Sequence, residues 1–424
     1  MHFSEITRVT QDSREVKKGD YFVACVGENV DGHVFIDQAL ENGAAGVLEE
    51  EELYGLAKEK LQAFAPTVVA ITGSVGKTTT KEAITAVLGE EYTVVKSPEN
   101  INTRRGLSLF ILNKLSKDCE VLVVEIGMDR FGEIAETCQT IPPNFAVLTS
   151  ISETHLEKLG SLERIKETKA GILDALPLES VAVLNGNDEQ VVDVSNRAPG
   201  KIVWFGLVAE ESLHPFYSAC EIEISRSGTE FAIFENGRKL GNATMQILGK
   251  AAVYSGTAAA AIGKELKLSF KQIADGLVSL KPAPHRLNLI QTGSGTTILD
   301  DSYNASDVST LAALDVFSRL EADRRIAVLG DMLELGSHEQ LAHQRVGKEV
   351  ATVADVLVTV GDLGEIIGKT AEKQGLEKVF YAQDAGASLK ILRKKVGLKK
   401  GDLVLVKASH SVGLDEVARE LVTC

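Results

Sequence analysis

Thr72-Gly73-Ser74-Val75-Gly76-Lys77-Thr78-Thr79-Thr80 is the stretch on which the fold turns. Just before it, Thr67-Val68-Val69-Ala70-Ile71 is a short apolar, β-branched run that reads as a buried parallel strand. Just after it, Ala83, Ile84, Val87 and Leu88 recur at helical spacing, so the glycines lie between a strand and a helix. At such a junction backbone N–H groups can close on an anion, and the helix N-terminus adds partial positive charge. Gly73, Ser74, Val75, Gly76, Lys77, Thr78 and Thr79 are therefore expected to hold nucleotide phosphates. Lys77 would reach the β/γ-phosphates and the Thr78 hydroxyl would ligate Mg²⁺. A strict phosphate-loop spacing asks for glycine at position 71, where this chain has Ile71. The turn glycine falls at Gly73, giving the tighter form T-G-x-x-G-K-T. A glycine turn followed by a solvated lysine is the plainer alternative.

The rest of the composition bounds what such a loop can serve. A chain of 424 residues is too long for one ordinary domain. Its 44% hydrophobic and 25% charged content suits packed globular cores. A net charge of −15 argues against nucleic acid or an anionic membrane surface as the main partner. The N-terminus lacks a basic-then-apolar leader pattern, and no apolar run is long enough to span a bilayer. The cysteines (Cys25, Cys119, Cys138, Cys220, Cys424) are scattered without C-x-x-C spacing, as expected of reduced thiols in a cytoplasm. His338 and His343 flank Glu339 but miss the H-E-x-x-H zinc spacing, so an ordinary helix face is expected there.

Along the chain, β and α signals alternate. Residues 1–66 read as a small α/β unit with a strand at Tyr21–Val26, a helix through Phe35–Leu40 and another strand opening at Gly43. Residues 67–280 carry the phosphate loop, with strands at Glu120–Glu125, Phe145–Ser150 and Val181–Asn185 separated by helical stretches. Ligands of such sheets bind beyond the carboxyl ends of the strands, which groups Glu125, Asn185 and the Ser150–His155 segment with the phosphate loop. Glu235-Asn236-Gly237-Arg238 signals a hairpin, and Gly249–Ala261 an alanine-rich helix. After the rigid Lys281-Pro282-Ala283-Pro284, residues 281–424 read as a second Rossmann-like sheet, with strands at Thr297–Asp300, Arg325–Leu329, Val356–Val360 and Leu403–Val406.

Longer motifs carry a resemblance. Asp12-Ser13-Arg14, Gly19-Asp20 and Asp31-Gly32-His33 occur in the first unit. The centre adds Glu125-Ile126-Gly127-Met128, Thr154-His155-Leu156-Glu157 and Gly160-Ser161-Leu162-Glu163, with Lys169 following. The last unit adds His285-Arg286-Leu287, Asp300-Asp301-Ser302-Tyr303-Asn304-Ala305 and Leu329-Gly330-Asp331-Met332-Leu333-Glu334-Leu335-Gly336. Together these resemble the Mur ligase family along nearly the whole chain, and the Gly330–Gly336 run favours its D-alanyl-D-alanine-adding branch. The resemblance implies a three-domain α/β architecture: a small N-terminal α/β domain, a central P-loop parallel-sheet ATPase domain and a C-terminal Rossmann-like domain. It implies an ATP-dependent carboxylate–amine ligase working with Mg²⁺ on a UDP-linked muramoyl peptide in the cytoplasm, as a monomer.

The resemblance also assigns roles. Thr78, Glu125 and His155 become metal candidates, and Lys169 falls where many family members carry a carbamylated lysine that helps hold a second metal. Lys77, His155, Lys169 and Arg286 form the catalytic set. Asn185, Asp301 and Asn304 join Arg286 on the nucleotide, and Ser13, Arg14, Asp31, His33 and Asn102 are expected on the substrate. Each residue has a plainer role in isolation: a strand-end carboxylate, a loop histidine, a solvated helix lysine, an interdomain salt bridge. Three positions depart from the family pattern: Ser255 stands where asparagine is usual, Ser306-Asp307 replaces asparagine-proline, and His410 stands where arginine is common. A ligase of a neighbouring branch and a non-ligase nucleotide switch are the alternatives.

Overall fold

In a computed structural model the described residues are 2–27, 30–98, 101–153, 159–208 and 216–422. His155, with its neighbours 154–158, lies outside them. Three sheets follow one another along the chain. The first is parallel and three-stranded, β1 (Val9–Thr10), β2 (Tyr21–Ala24) and β3 (Gly46–Glu49) in spatial order.

The second sheet has nine strands. Its parallel part holds β4 (Thr67–Thr72), β5 (Val94–Lys96), β6 (Val121–Glu125), β7 (Phe145–Leu148), β8 (Val181–Asn185) and β9 (Lys201–Leu207). An antiparallel extension holds β10 (Tyr217–Ser225), β11 (Gly228–Glu235) and β12 (Arg238–Met245). The spatial order is β12-β11-β10-β9-β8-β7-β4-β6-β5. The phosphate-loop strand β4 is thus flanked by β7 and β6, and both neighbours run parallel to it. Sheets with helices on both faces need apolar side chains on both, which is why these strands read as continuous hydrophobic runs. Val68 and Ala70 enter one core beside Leu122 and Val124, while Val69 and Ile71 enter the other beside Val121 and Val123. The first core also takes Val9, Val23 and Leu48, so packing runs on unbroken past residue 66 into the small sheet.

Asn236 and Gly237 have φ of 46° and 78°, the left-handed pair that a two-residue hairpin turn requires, and they join β11 to β12. The alanine-rich helix, Lys250–Glu265, is buried almost throughout. Its small side chains let it lie close against the helix Lys77–Leu88 that follows the phosphate loop.

The third sheet orders as β13-β14-β18-β15-β16-β17, from β13 (Asn288–Gln291), β14 (Thr297–Asp300), β15 (Arg324–Gly330), β16 (Val356–Val360), β17 (Val379–Ala382) and β18 (Asp402–Lys407). Only β13 runs antiparallel. This unit is docked on the central one. Leu248 belongs to its core and Ile224 packs there too, while Arg226 donates to Thr297 Oγ1 (3.2 Å) and to the Glu321 carbonyl (2.8 Å).

The helix-face expectation for His338 and His343 needs correcting. His343 is wholly buried. Its Nε2 accepts the Met332 N–H at 3.0 Å and its Nδ1 pairs with the Glu339 carbonyl at 2.6 Å, so it braces the Gly330–Gly336 loop. His338 reaches across to Glu153 of the central unit at 3.1 Å. Short polar loops at strand ends must find partners for their backbone groups, and a buried imidazole supplies one.

Candidate active site

The phosphate loop wraps over the end of β7. Gly73 has φ of 152°, and a Cβ there would stand 2.0 Å from Thr149 Oγ1, so only glycine fits. Gly76 has φ of 86° and caps the helix that starts at Lys77. The loop is stitched to the next segment through hydroxyls. Ser74 N–H donates to the Ser150 carbonyl (2.8 Å), Val75 N–H to Ser150 Oγ (3.0 Å), and Thr149 Oγ1 to the Val75 carbonyl (2.7 Å). Ser74 Oγ accepts the Ser152 N–H at 2.8 Å. Thr79 is half-buried on the first helical turn.

Around this loop the charged groups converge. Lys77 Nζ donates to the Gly73 carbonyl at 2.8 Å. Burial holds its ammonium below the usual lysine range; Glu125 opposes that shift, and the charge of Arg286 adds to it. Thr78 Oγ1 donates to Glu125 Oε2 at 2.8 Å, and Asn102 Nδ2 lies 3.3 Å from Glu125 Oε1. Glu125 is buried at the carboxyl end of β6. Lys169 is buried as well, which sets aside the solvated-lysine alternative. Desolvation first, then the charge of Lys77, drives its amine well below the ordinary lysine value. A cavity of about 120 Å³ opens among Gly73, Lys77, Asn102, Gly127, Asp129 and Lys169.

The third unit brings Arg286 near enough for its charge to act on Lys77. His285 and Leu287 have φ of 59° and 50°, so Arg286 is held between two left-handed residues, its guanidinium 4.2 Å above the Tyr303 ring. Asp301 accepts the Leu287 N–H at 3.1 Å and pairs with the buried Lys407 at 2.6 Å. Burial lifts the Asp301 carboxyl above the usual range, against the pull of Lys407. Lys407 also donates to the Asn304 carbonyl at 2.8 Å, leaving the exposed Asn304 side chain to cap Ala305 N–H.

Other expected residues stand differently. Asn185 lies at the end of β8, but its amide is committed to the Thr149 carbonyl (2.8 Å) and the Asn187 N–H (3.0 Å). Its visible work is therefore on the loop that backs the phosphate loop. Ser13 is buried with its hydroxyl on Gln38 (2.6 Å), so the structure gives it a scaffold role in its loop. Arg14 is exposed and pairs with Asp12 at 2.7 Å. Exposed Asp31 caps the turn carrying His33, and His33 also meets Glu49 at 3.0 Å. Ser255 is buried with its hydroxyl 3.1 Å from Thr80 Oγ1, on the helix that follows the phosphate loop.

Sequence reading missed Asp188, whose carboxylate fixes Ile151 N–H (3.0 Å) while capping its own helix, and Tyr303 as the platform under Arg286. An N-cap aspartate ahead of Glu189 was a usable signal for the first. Among the described residues no cluster of three or more histidine, cysteine or acidic side chains could hold a metal ion. The oxygen donors present instead, the Glu125 carboxylate and the Thr78 hydroxyl, have the hard-donor chemistry that suits Mg²⁺, with the Asn102 amide N–H holding the carboxylate in place.

A phosphate loop whose lysine feels an arginine of a following Rossmann-like unit marks a nucleotide-binding enzyme of several domains, and comparison with known proteins gives the class and family. The Mur ligase middle-domain model matches residues 71–263, the Mur ligase glutamate ligase domain 285–410, and the Mur ligase family catalytic domain 5–99. The chain belongs to the Mur ligase family. It is 34% identical over 438 residues to the UDP-N-acetylmuramoyl-tripeptide–D-alanyl-D-alanine ligase of Bacillus subtilis, covering 98% of this chain and 93% of that one. The Escherichia coli ligase of the same name is 30% identical, covering 97% and 93%. The structure of MurF ligase from Thermotoga maritima in complex with ADP superposes with a TM-score of 0.87 at 31% identity, covering 100% of this chain and 98% of that one. No helix among the described residues is long and apolar enough to cross a membrane.

Proposed function

We propose that this protein is an ATP-dependent carboxylate–amine ligase. It joins D-alanyl-D-alanine to a UDP-N-acetylmuramoyl tripeptide through an acyl phosphate, in peptidoglycan precursor synthesis in the cytoplasm. The observation that carries the reading is the convergence of Lys77, the Thr78–Glu125 pair, buried Lys169 and Arg286 on one phosphate loop, in a chain matched nearly end to end by ligases of that name.

The chemistry asks mainly for positioning and charge neutralisation. The γ-phosphoryl group passes to the substrate carboxylate and ADP leaves. The dipeptide amine then attacks the acyl carbon, phosphate departs and the amine gives up a proton. Ser150 takes the N–H groups of Ser74 and Val75; the remaining backbone N–H groups between Gly73 and Thr79 are proposed to hold the phosphates, and Lys77 and the forked guanidinium of Arg286 to meet the charge that spreads over the transferring group. A bound Mg²⁺ would supply positive charge that neutralises the phosphates. Thr78 and Glu125 fit as its holders, with His155 proposed as a further ligand. A neutral Lys169 amine adds to CO₂ with loss of a proton, and the carbamate's carboxylate is proposed to hold a second ion.

Asn102 is proposed on the muramoyl substrate, and Arg14, Asp31 and His33 on its uridine nucleotide, with Ser13 holding that loop. Asp301 and Asn304 are proposed on the nucleotide, with Asn185 behind the phosphate loop. The protein is proposed to act as a monomer.

The test is phosphate release over a grid of UDP-muramoyl peptides against D-alanyl-D-alanine and free amino acids. Release that needs both the tripeptide and the dipeptide supports the proposal. Release without either substrate, as a nucleotide switch would give, ends it. Release with a diamino acid in place of the dipeptide moves the protein to a neighbouring ligase branch.

A further inference from the structure

Lys81 is wholly buried, and nothing in the proposed reaction uses it. It sits one turn beyond Lys77 on the helix Lys77–Leu88, whose Ala83, Ile84, Val87 and Leu88 are also buried. A buried ammonium is costly unless it is paired and hydrogen-bonded, so its partners indicate its use. Its Nζ donates to the Ser97 carbonyl at 2.9 Å and lies 3.6 Å from the Glu82 carboxylate.

Ser97 is equally buried and stands just past the end of β5. Its N–H donates to the Val123 carbonyl at 2.9 Å, and its hydroxyl accepts the Glu125 N–H at 3.2 Å. Glu125 in turn meets Thr78, on the helix that carries Lys81, and Asn102, on the segment that leaves Ser97. Gly127 N–H closes the arrangement on the Asn102 carbonyl at 2.8 Å. One ammonium therefore ties the phosphate-loop helix, the end of β5 and the end of β6 together at the point where Thr78 and Glu125 must face the same ion.

We infer that Lys81, acting through Ser97, is a positioning residue for Glu125 and so for the divalent-cation site. This rests on the proposed reading of Thr78 and Glu125 as the groups that hold the ion. Outer partners of metal ligands commonly matter 10–100-fold for metal affinity, roughly the scale expected here.

The experiment uses Mn²⁺ as probe, with bound and free ion distinguished by electron paramagnetic resonance in the presence of ADP. The proteins are the wild type, Glu125→Gln, Lys81→Met and Ser97→Ala. Lys81→Met keeps the buried stem and removes the ammonium. Ser97→Ala removes only the hydroxyl and decides the question if Lys81→Met does not fold. The expected result is Mn²⁺ affinity about 10-fold weaker in Lys81→Met and Ser97→Ala, with ADP binding in the absence of metal unchanged. If Glu125→Gln weakens Mn²⁺ binding while Lys81→Met and Ser97→Ala bind like wild type, the positioning role is wrong and the cation site stands. Fewer sites per molecule at unchanged affinity would mean that Lys81 merely supports folding, which also overturns it. If Glu125→Gln itself binds Mn²⁺ normally, the cation reading fails and the positioning role goes with it.

Discussion

Two lysines on this site are set by the same physics toward different ends. Lys77 keeps contact with carbonyls of its own loop, and Glu125 partly offsets its desolvation, which supports the role proposed for it as the cation on the transferring phosphate. Lys77→Ala should lower the ligation rate by at least about 10²-fold, the cost of removing a principal transition-state charge. Near-normal turnover by a folded variant would refute its role. Lys169 has Lys77 as a repelling neighbour and burial as its main burden, which together favour the uncharged amine. A neutral, buried amine is the form that adds to CO₂. Lys169→Ala should therefore be severely impaired, and acetate or formate should partly restore it by supplying the missing carboxylate. Wild-type enzyme equilibrated with ¹³C-labelled bicarbonate should show a carbamate carbon signal that the variant lacks. Full activity of Lys169→Ala in bicarbonate-free buffer would remove the carbamate from the mechanism.

At the scale of elements, what was legible in the sequence is what parallel sheets and turns write locally. The buried runs at Thr67–Thr72, Val121–Glu125 and Val356–Val360 could be read because both faces of those strands are covered. Asn236-Gly237 could be read because its turn needs two left-handed residues. Short edge strands such as Val94–Lys96 and Val379–Ala382 escaped, being half-exposed and only a few residues long. The site motifs gave residue identities in chain order. The Lys407 partner of Asp301 and the buried state of Lys169 and His343 came only with tertiary packing.

His343 gives an element-scale prediction for the Gly330–Gly336 loop. Burial holds its imidazole below the ordinary histidine value of 6.5, against the pull of the Glu339 carbonyl and of nearby carboxylates, so the folded form favours the neutral ring. Above that value both folded and unfolded chains carry it neutral and it adds no pH dependence. Below it the unfolded chain binds a proton that the folded chain resists, so stability falls as the pH drops through 6.5 until the folded value is reached. Thermal melts from pH 7.5 to 5 should therefore show a decline that is shallower in His343→Gln than in wild type. Parallel declines in the two proteins would mean that other groups set the acid limit.

For the whole molecule, the question is why a residue more than 200 positions beyond the phosphate loop reaches it at all. Arg286 follows a proline-bounded linker and is pinned between two left-handed residues. Its unit is seated on the central one by Leu248, Ile224 and Arg226, and by the His338–Glu153 contact. This docking brings its charge close enough to depress Lys77. Two like charges near one another are unfavourable until an anion lies between them, so this arrangement is one that phosphate should stabilise. Arg286→Ala should then lose at least about 10²-fold in turnover through the missing transition-state charge. Arg286→Lys should recover only part of it, because an ammonium cannot make the paired contacts of a guanidinium. Relieved of repulsion toward Lys77, the ligand-free Arg286→Ala protein should melt within about 0.5 kcal/mol of wild type or slightly above it. The added stability that ADP gives should be smaller in the variant. Full turnover together with an unchanged ADP-induced shift would reduce Arg286 to a surface residue of the linker and require another cation over the transferring phosphate.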